Sequence, residues 1–395
     1  MAKLIEITGK ALSGEWGVDD VDGTGIPVLR TTNFTNVGVI NYDNVVTRII
    51  TKKDIEEKYL KQGDIIIEKS GGSDKQPVGR VVFFEGIEHQ YLFNNFTGLL
   101  RIREKEKWEP KYVFYSLYAN YKNGGTKVFE NKTTGLHNLK TDDYVSRFEV
   151  KDRTIEEQKS ICEKLGMICE IIKLQEEQLI NLDNLIKSRF VEMFGTLQDN
   201  RNRYDIVAIE EVCSMIKDGT HQTPTYTEDT ENGYKFLSSK DVMTQKIDWT
   251  DVKYIPSELH EKLYATIHPR RNDILMSKNG VNYGVAAIND TDEVFDIYVS
   301  LALLRPTEVI DPVYFRCVIN NPDTKRQFDG SIKGIGVPNL HLGEIKKTKI
   351  LLPPLKLQNQ FADFVTQTTK LKLEIQKSLD ETQTLMDALM QEYFG

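Results

Sequence analysis

The chain has 395 residues, 39% of them hydrophobic and 28% charged, with a formal net charge of −8, four cysteines and six histidines. That length holds two globular domains and more, no run approaches a membrane span of about 18 apolar residues, and the N-terminal MAKLIEITGK lacks the apolar core of a secretion signal, so the cytoplasm is the expected compartment. Cys162, Cys169, Cys213 and Cys317 form no Cys-x-x-Cys pair and have no histidine at ligand spacing, which argues against zinc; residues 1–154 are nearly neutral and every later segment is acidic, which at first sight argues against nucleic acid.

In chain order the sequence reads as one plan given twice. LIEITGKALSGEW (4–16) aligns with IEEVCSMIKDGTH (209–221), bringing Gly14 opposite Gly219. GIPVLRTTNFTNVGVI (25–40) corresponds to GYKFLSSKDVMTQKI (233–247), each a short strand run into a polar turn. KQGDIIIEKSG (61–71) corresponds to RRNDILMSKNG (270–280), and VGRVVFFEG (78–86) to YGVAAIND (283–290), which predicts a strand and its hairpin partner in each block. WEPKYVFYSLYANY (108–121) and DPVYFRCVINNPDTKRQF (311–328) have helical spacing. Strands and helices mix without regular βαβ alternation, so each block is α+β.

Each block leads into a long proline-free helix ending in glycine, from Gln158 to Gly195 and from Gln358 to Gly395, with the register displaced by 200 residues. About 35 to 40 residues at about 1.5 Å each span roughly 50 to 60 Å, too long to stand without a partner for the apolar stripe. The first seam runs through Leu165, Ile168, Ile172, Leu179, Leu182, Ile186 and Met193. The second is read through Phe361, Phe364, Val365, Leu371, Ile375, Leu379, Met386, Leu389 and Tyr393, with two four-residue steps around Ile375 that predict a stutter. Leu165, Ile172, Leu179 and Ile186 are expected to pack against Leu371, Ile375, Leu379 and Met386. Helix patterning alone also allows pairing between two molecules; the duplicated blocks favour pairing within one chain.

No catalytic constellation emerges. DIIIEKS (64–70) faintly resembles a nuclease cluster, but Ser277 stands where Glu68 would be repeated; NNPDT (320–324) matches the methyltransferase Asn-Pro-Pro-aromatic loop only at its first step; GGSD (71–74) lacks the P-loop lysine. Binding is better supported. Loops rich in Lys, Asn, Ser and Thr beside glycine recur at matching places, where glycine admits close approach, cations meet phosphate, and amides and hydroxyls read base edges. The candidate contacts are Lys69, Ser70, Lys75, Arg80, Lys127, Asn131, Lys132, Thr133 and Thr134 in the first block. In the second they are His221, Gln222, Thr223, Lys278, Asn279, Asn282, Tyr283, Lys325, Arg326 and Lys333.

GVPNL (336–340) running into ILLPPLKLQNQF (350–361), GLHNL (135–139) leading to TIEEQKSI, and KDGTHQTPTY (217–226) followed by FLSSKDV (236–242) and KYIPSELHEK (253–262) resemble the specificity subunit of type I restriction-modification systems over essentially the whole chain. One departure is DRTIEEQ where the second copy has the family-like PPLKLQNQ, which puts the entry to the first helix in doubt. The resemblance implies target-recognition domains at 1–153 and 196–354, spacer helices at 154–195 and 355–395 forming an antiparallel coiled coil, and a pseudo-twofold internal repeat. It implies double-stranded DNA as ligand, read as a bipartite asymmetric target, with two methyltransferase (M) subunits and restriction-translocase (R) subunits as partners. S-adenosylmethionine, ATP and Mg would then sit in the partners, and this chain would carry no cofactor, metal or catalysis. The reading from another class is a coiled-coil adaptor between proteins, which the net acidity favours; a standalone nuclease or methyltransferase lacks its motifs.

Overall fold

The computed structural model describes residues 1–74, 76–133, 136–332 and 338–395, with backbone alone at 132, 133 and 136. The chain forms two compact units, Met1–Glu176 with Lys377–Gly395, and Glu177–Gln376. Each unit holds one globular block and one half of each long helix.

In the first unit the strand Ile65–Glu68 is buried on both faces and pairs antiparallel with Val81–Phe83 on one side and Thr97–Leu100 on the other, with Leu12–Ser13 at the far edge. The second unit repeats this order with Ile274–Ser277 between Ala286–Ile288 and Leu301–Pro306, and Cys213–Asp218 at the edge. The sequence hairpins are therefore present in both. A second sheet in each unit carries one parallel pair, Ile26–Leu29 with Leu92–Phe93 and Tyr234–Leu237 with Phe295–Ile297. Gly14 and Gly219 mark the place where the edge strand crosses that sheet: a Cβ at Gly14 would collide with the carbonyl oxygens of Phe93 and Asn94, and one at Gly219 with that of Ile297.

The aspartates that open the central strands are structural. Asp64 accepts from Arg101 Nε at 2.8 Å and Nη2 at 2.7 Å, and Asp273 accepts from both corresponding nitrogens of Arg305 at 2.8 Å. Both carboxylates are almost wholly buried, so the bidentate geometry is what makes their burial tolerable. This accounts for the DIIIE and DILMS repeats without nuclease chemistry.

The helix Pro110–Lys122 is continuous, but its counterpart breaks into Pro312–Ile319 and Pro322–Ser331. Pro322 has no N–H to continue the first helix, and the Asn321 side chain accepts from Asp323 N to cap the second.

The long helices span Ile155–Phe194 and Leu355–Phe394. In the first unit Gln175 Nε2 donates to Ser378 Oγ, while Ile161 and Leu165 share a core with Met386 and Met390. In the second, Asp183 pairs with Lys372, and Phe190 and Phe194 meet Phe361 edge to face. As residue numbers rise along one helix they fall along the other, so the pairing is antiparallel in both units. The second seam corrects the sequence expectation. Leu371 is 45% exposed; the inward residues are Thr368, Lys372, Ile375, Leu379, Thr382 and Met386. Each lies 200 residues beyond an inward residue of the first helix, from Ile168 and Ile172 to Leu182 and Ile186, so both seams are regular heptads and there is no stutter. Polar Thr368, Lys372 and Thr382 hide the repeat from a reading by hydrophobicity.

Both helices are fastened to their blocks by a glutamine with no solvent exposure. Gln158 Oε1 accepts from Glu109 N at 2.9 Å, and its Nε2 donates to the carbonyls of Lys107 and Arg153. Gln358 Oε1 accepts from Asp311 N at 2.8 Å, and its Nε2 donates to the carbonyls of Val309 and Pro353. The missing proline does not disturb the first junction: Thr154 and Glu157 form a reciprocal capping box in its place.

Candidate nucleic-acid interface

In each unit the central strand runs on into a lysine followed by a short polar residue, and that segment is caught by the Asn-Leu pair of the GLHNL or GVPNL motif. Leu139 N donates to Lys69 O at 2.8 Å, and Leu340 N to Lys278 O at 2.7 Å. Asn138 stands opposite Ser70 and Asn339 opposite Asn279. In the first unit Glu130–Thr133 adds a further strand, which sets Asn131 opposite Asn138. A cross-strand row Ser70–Asn138–Asn131 results, assembled from residues as far as 68 positions apart in sequence. The second unit has Asn279 and Asn339 at this place, with Asn279 Oδ1 buried and unpartnered among the described residues.

The lysines differ in their neighbours. Lys69 Nζ donates to Ser13 Oγ at 2.9 Å, with no carboxylate bonded to it among the described residues, and burial pushes its ammonium below the usual lysine range. Lys278 is buried against Asp218 at 2.5 Å, and His221 approaches the same carboxylate at 3.3 Å. Burial pushes the Asp218 carboxyl up, but the lysine and histidine outweigh it and hold it below the usual range. Ser13 and Asp218 are equivalent positions in the aligned blocks, so one substitution decides whether this lysine keeps a free charge. Asp218, His221, Lys278, Asn279, Asn339 and His341 line a cavity of about 560 Å³.

Other candidates fall in three groups. Lys127, Asn131, Gln222, Thr223 and Asn282 are exposed, as is His221. Arg80 is not: its guanidinium grips Glu68 through two nitrogens at 3.1 Å and donates to the carbonyls of Thr31 and Phe34, so it closes the core instead of reaching out. Tyr283 is likewise turned inward, donating to Asp329 at 2.5 Å, while Lys325 pairs with the same carboxylate across the tyrosine ring and Arg326 pairs with Asp323. Lys75, Thr134 and Lys333 lie outside the described residues, as do the side chains of Lys132 and Thr133. Asn138 and Asn339 were passed over by the sequence reading, although both sit in the motifs that carried the resemblance; their repetition before leucine was the available signal.

Residues 202–382 match the family model of the type I restriction modification DNA specificity domain. Over 285 residues, 68% of this chain and 65% of the relative, the chain is 23% identical to the type I restriction enzyme MjaVIII specificity subunit of Methanocaldococcus jannaschii, so the match spans just under two thirds of that protein. Over its whole length it shares its fold with the S subunit of a type I restriction-modification system from M. genitalium, at 13% identity, TM-score 0.57 and 95% of that chain. A chain from a structure on complex assembly and conformational transition of the type I R-M system matches at 17% identity, TM-score 0.59 and 96% coverage. Residues 202–382 thus carry the type I restriction modification DNA specificity domain, and the chain as a whole, two α+β blocks each latched to an antiparallel pair of long helices, has the fold of type I S subunits.

Proposed function

We propose that the chain is the non-catalytic sequence-reading subunit of a type I restriction-modification complex, with each α+β block contacting one half of a bipartite duplex target. The observation that carries this reading is the repeated lysine, short polar residue and facing asparagine, held by the same backbone bond in both units but bearing different side chains. Repetition supports a common mode of approach, and the side-chain differences support two different half-sites. Ser70, Asn138 and Asn131 present amides and a hydroxyl suited to base edges, and the exposed amide of Asn339 offers the same chemistry in the second unit. Lys69, Lys127 and His221, with Gln222, Thr223 and Asn282, supply backbone and edge contacts around these rows.

The acidity follows from a shared task, in which methyltransferase subunits supply much of the phosphate attraction and hold the S-adenosylmethionine, while ATP and Mg belong to restriction subunits. Met167, Ile171 and Leu174 form an exposed stripe on the first helix at four- and three-residue steps, outside the seam, which suits a partner helix. Among the described residues no helix is long and apolar enough to cross a membrane.

The test is to replace residues 1–153 with the first block of another specificity subunit, co-express it with the methyltransferase subunit, and sequence the methylome. One half of the methylated target changes and the other stays. A change in both halves defeats the modular reading, and duplex binding indifferent to salt favours the protein adaptor instead.

A further inference from the structure

The second unit contains a cavity of about 590 Å³ between its globular block and its halves of the two long helices, within the range of small-molecule sites. The first unit carries bulkier residues at the corresponding place. Tyr112 and Tyr314 donate to equivalent carbonyls, those of Lys151 and Leu351, which fixes the alignment of the helices they sit on. At that alignment Phe114, Tyr115 and Tyr118 of the first unit are replaced by Arg316, Cys317 and Asn320, so three aromatic rings give way to a guanidinium, a thiol and an amide.

The opened space has an apolar lining of Ile186, Phe190, Val191 and Phe361, with Phe361 itself wholly buried, and carries cations among them. Its two carboxylates are already engaged, Asp183 by Lys372 and Asp323 by Arg326. Lys187, Lys246 and Arg316 remain without an ion-pair partner among the described residues. Arg316 is the most exposed to consequence: its Nε is buried with no hydrogen-bond partner, and its other nitrogens make only long bonds, 3.4 Å to Gln245 O and 3.7 Å to Cys317 Sγ. A half-buried guanidinium whose Nε is sealed from water without a partner is costly unless an acceptor completes it.

We infer that this cavity is a binding site for a nucleoside phosphate, the base lying against the apolar lining at Ile186 and Val191 and the phosphates meeting Arg316, Lys187 and Lys246. An apolar lining interspersed with three cations unpaired among the described residues matches a ligand that joins an apolar ring to a multiply anionic group. The site is separate from the polar rows assigned to DNA, and shares no residue with them.

Isothermal titration of the full chain with ATP, ADP and AMP tests it, with adenosine and pyrophosphate as fragments. A nucleotide binds more tightly than either fragment. Arg316→Gln, which keeps the cavity open, weakens it at least tenfold, and Arg316→Phe, which restores the residue of the first unit, abolishes it while duplex binding keeps its affinity and salt dependence. Absence of nucleotide binding overturns the inference. So does binding that survives Arg316→Gln, pyrophosphate binding as tightly as ATP, or displacement of the nucleotide by duplex DNA.

Discussion

The glutamine latch gives the most direct test of how the long helices are held. Gln358→Leu keeps nearly the same volume but removes a fully buried amide and leaves its three backbone partners unbonded, the N–H of Asp311 and the carbonyls of Val309 and Pro353. A stranded buried group costs about 1–3 kcal/mol, and carbonyls with a second lone pair relax more easily than an N–H, so the sum is about 3–5 kcal/mol. Against a typical domain stability of about 5–15 kcal/mol this is a large fraction. The chain supplies its own reporters, since Trp249 is the one tryptophan of the second unit, while Trp16 and Trp108 lie in the first. Urea titration of Gln358→Leu in a background with Trp16→Phe and Trp108→Phe reads the second unit alone, and Gln158→Leu with Trp249→Phe reads the first. Both variants lower the midpoint of their own unit by an amount equivalent to about 3–5 kcal/mol, whereas exposed Asn359→Ala stays within about 0.5 kcal/mol. A loss below about 1 kcal/mol for Gln358→Leu refutes the argument that this amide secures the junction.

The seam register predicts that Leu379→Lys, at a 5% exposed position, costs several kcal/mol while Leu371→Lys is nearly neutral; equal costs by denaturation would restore the stuttered seam. Burial raises the Asp296 carboxyl to about 6, against the opposing bond to His260, so its neutral form is favoured by the fold. The associated stability is fully present below the unfolded value of 3.8 and is lost as pH rises through about 6; Asp296→Asn therefore flattens the fall in stability between about pH 4 and 7, and parallel profiles would contradict this. In the proposed complex with methyltransferase subunits, Lys69→Gln lowers the slope of log affinity against log salt by about 1, and Asp218→Asn, which frees Lys278, raises it by about 1. Anisotropy titrations with target duplex decide, and an unchanged slope in both variants removes these lysines from the phosphate contacts.

Legibility in the sequence followed the range of the physics involved. Helix and strand periods are set by the backbone within a few residues, so the two long helices, the hairpins after Asp64 and Asp273 and the doubled plan were readable, and the resemblance gathered them into one fold. The break at Asn321-Pro322 was written in the chain as well, in an amide cap and a proline. Reading the seam by hydrophobicity failed at Thr368, Lys372 and Thr382, because polar side chains can occupy inward positions when a facing group or their own aliphatic stem completes them, as Asp183 does for Lys372.

What a charged or polar side chain does was decided in three dimensions. Arg80 and Lys69 are both cations in the same stretch of loop and strand, yet Arg80 is consumed by Glu68 and two carbonyls while Lys69, among the described residues, bonds to a serine hydroxyl alone. Lys278 looks like Lys69 in the aligned sequence and is neutralised by Asp218, 60 residues away. The row Ser70–Asn138–Asn131 likewise exists only because three strands pair in one register. Repeating local geometry is encoded by neighbouring residues, so the sequence by itself determined the duplicated helices and strands. The partner of an ionic or hydrogen-bonding group is set by segments that meet only on folding, so the tertiary structure alone decided which of the candidate residues are consumed by contacts within the chain.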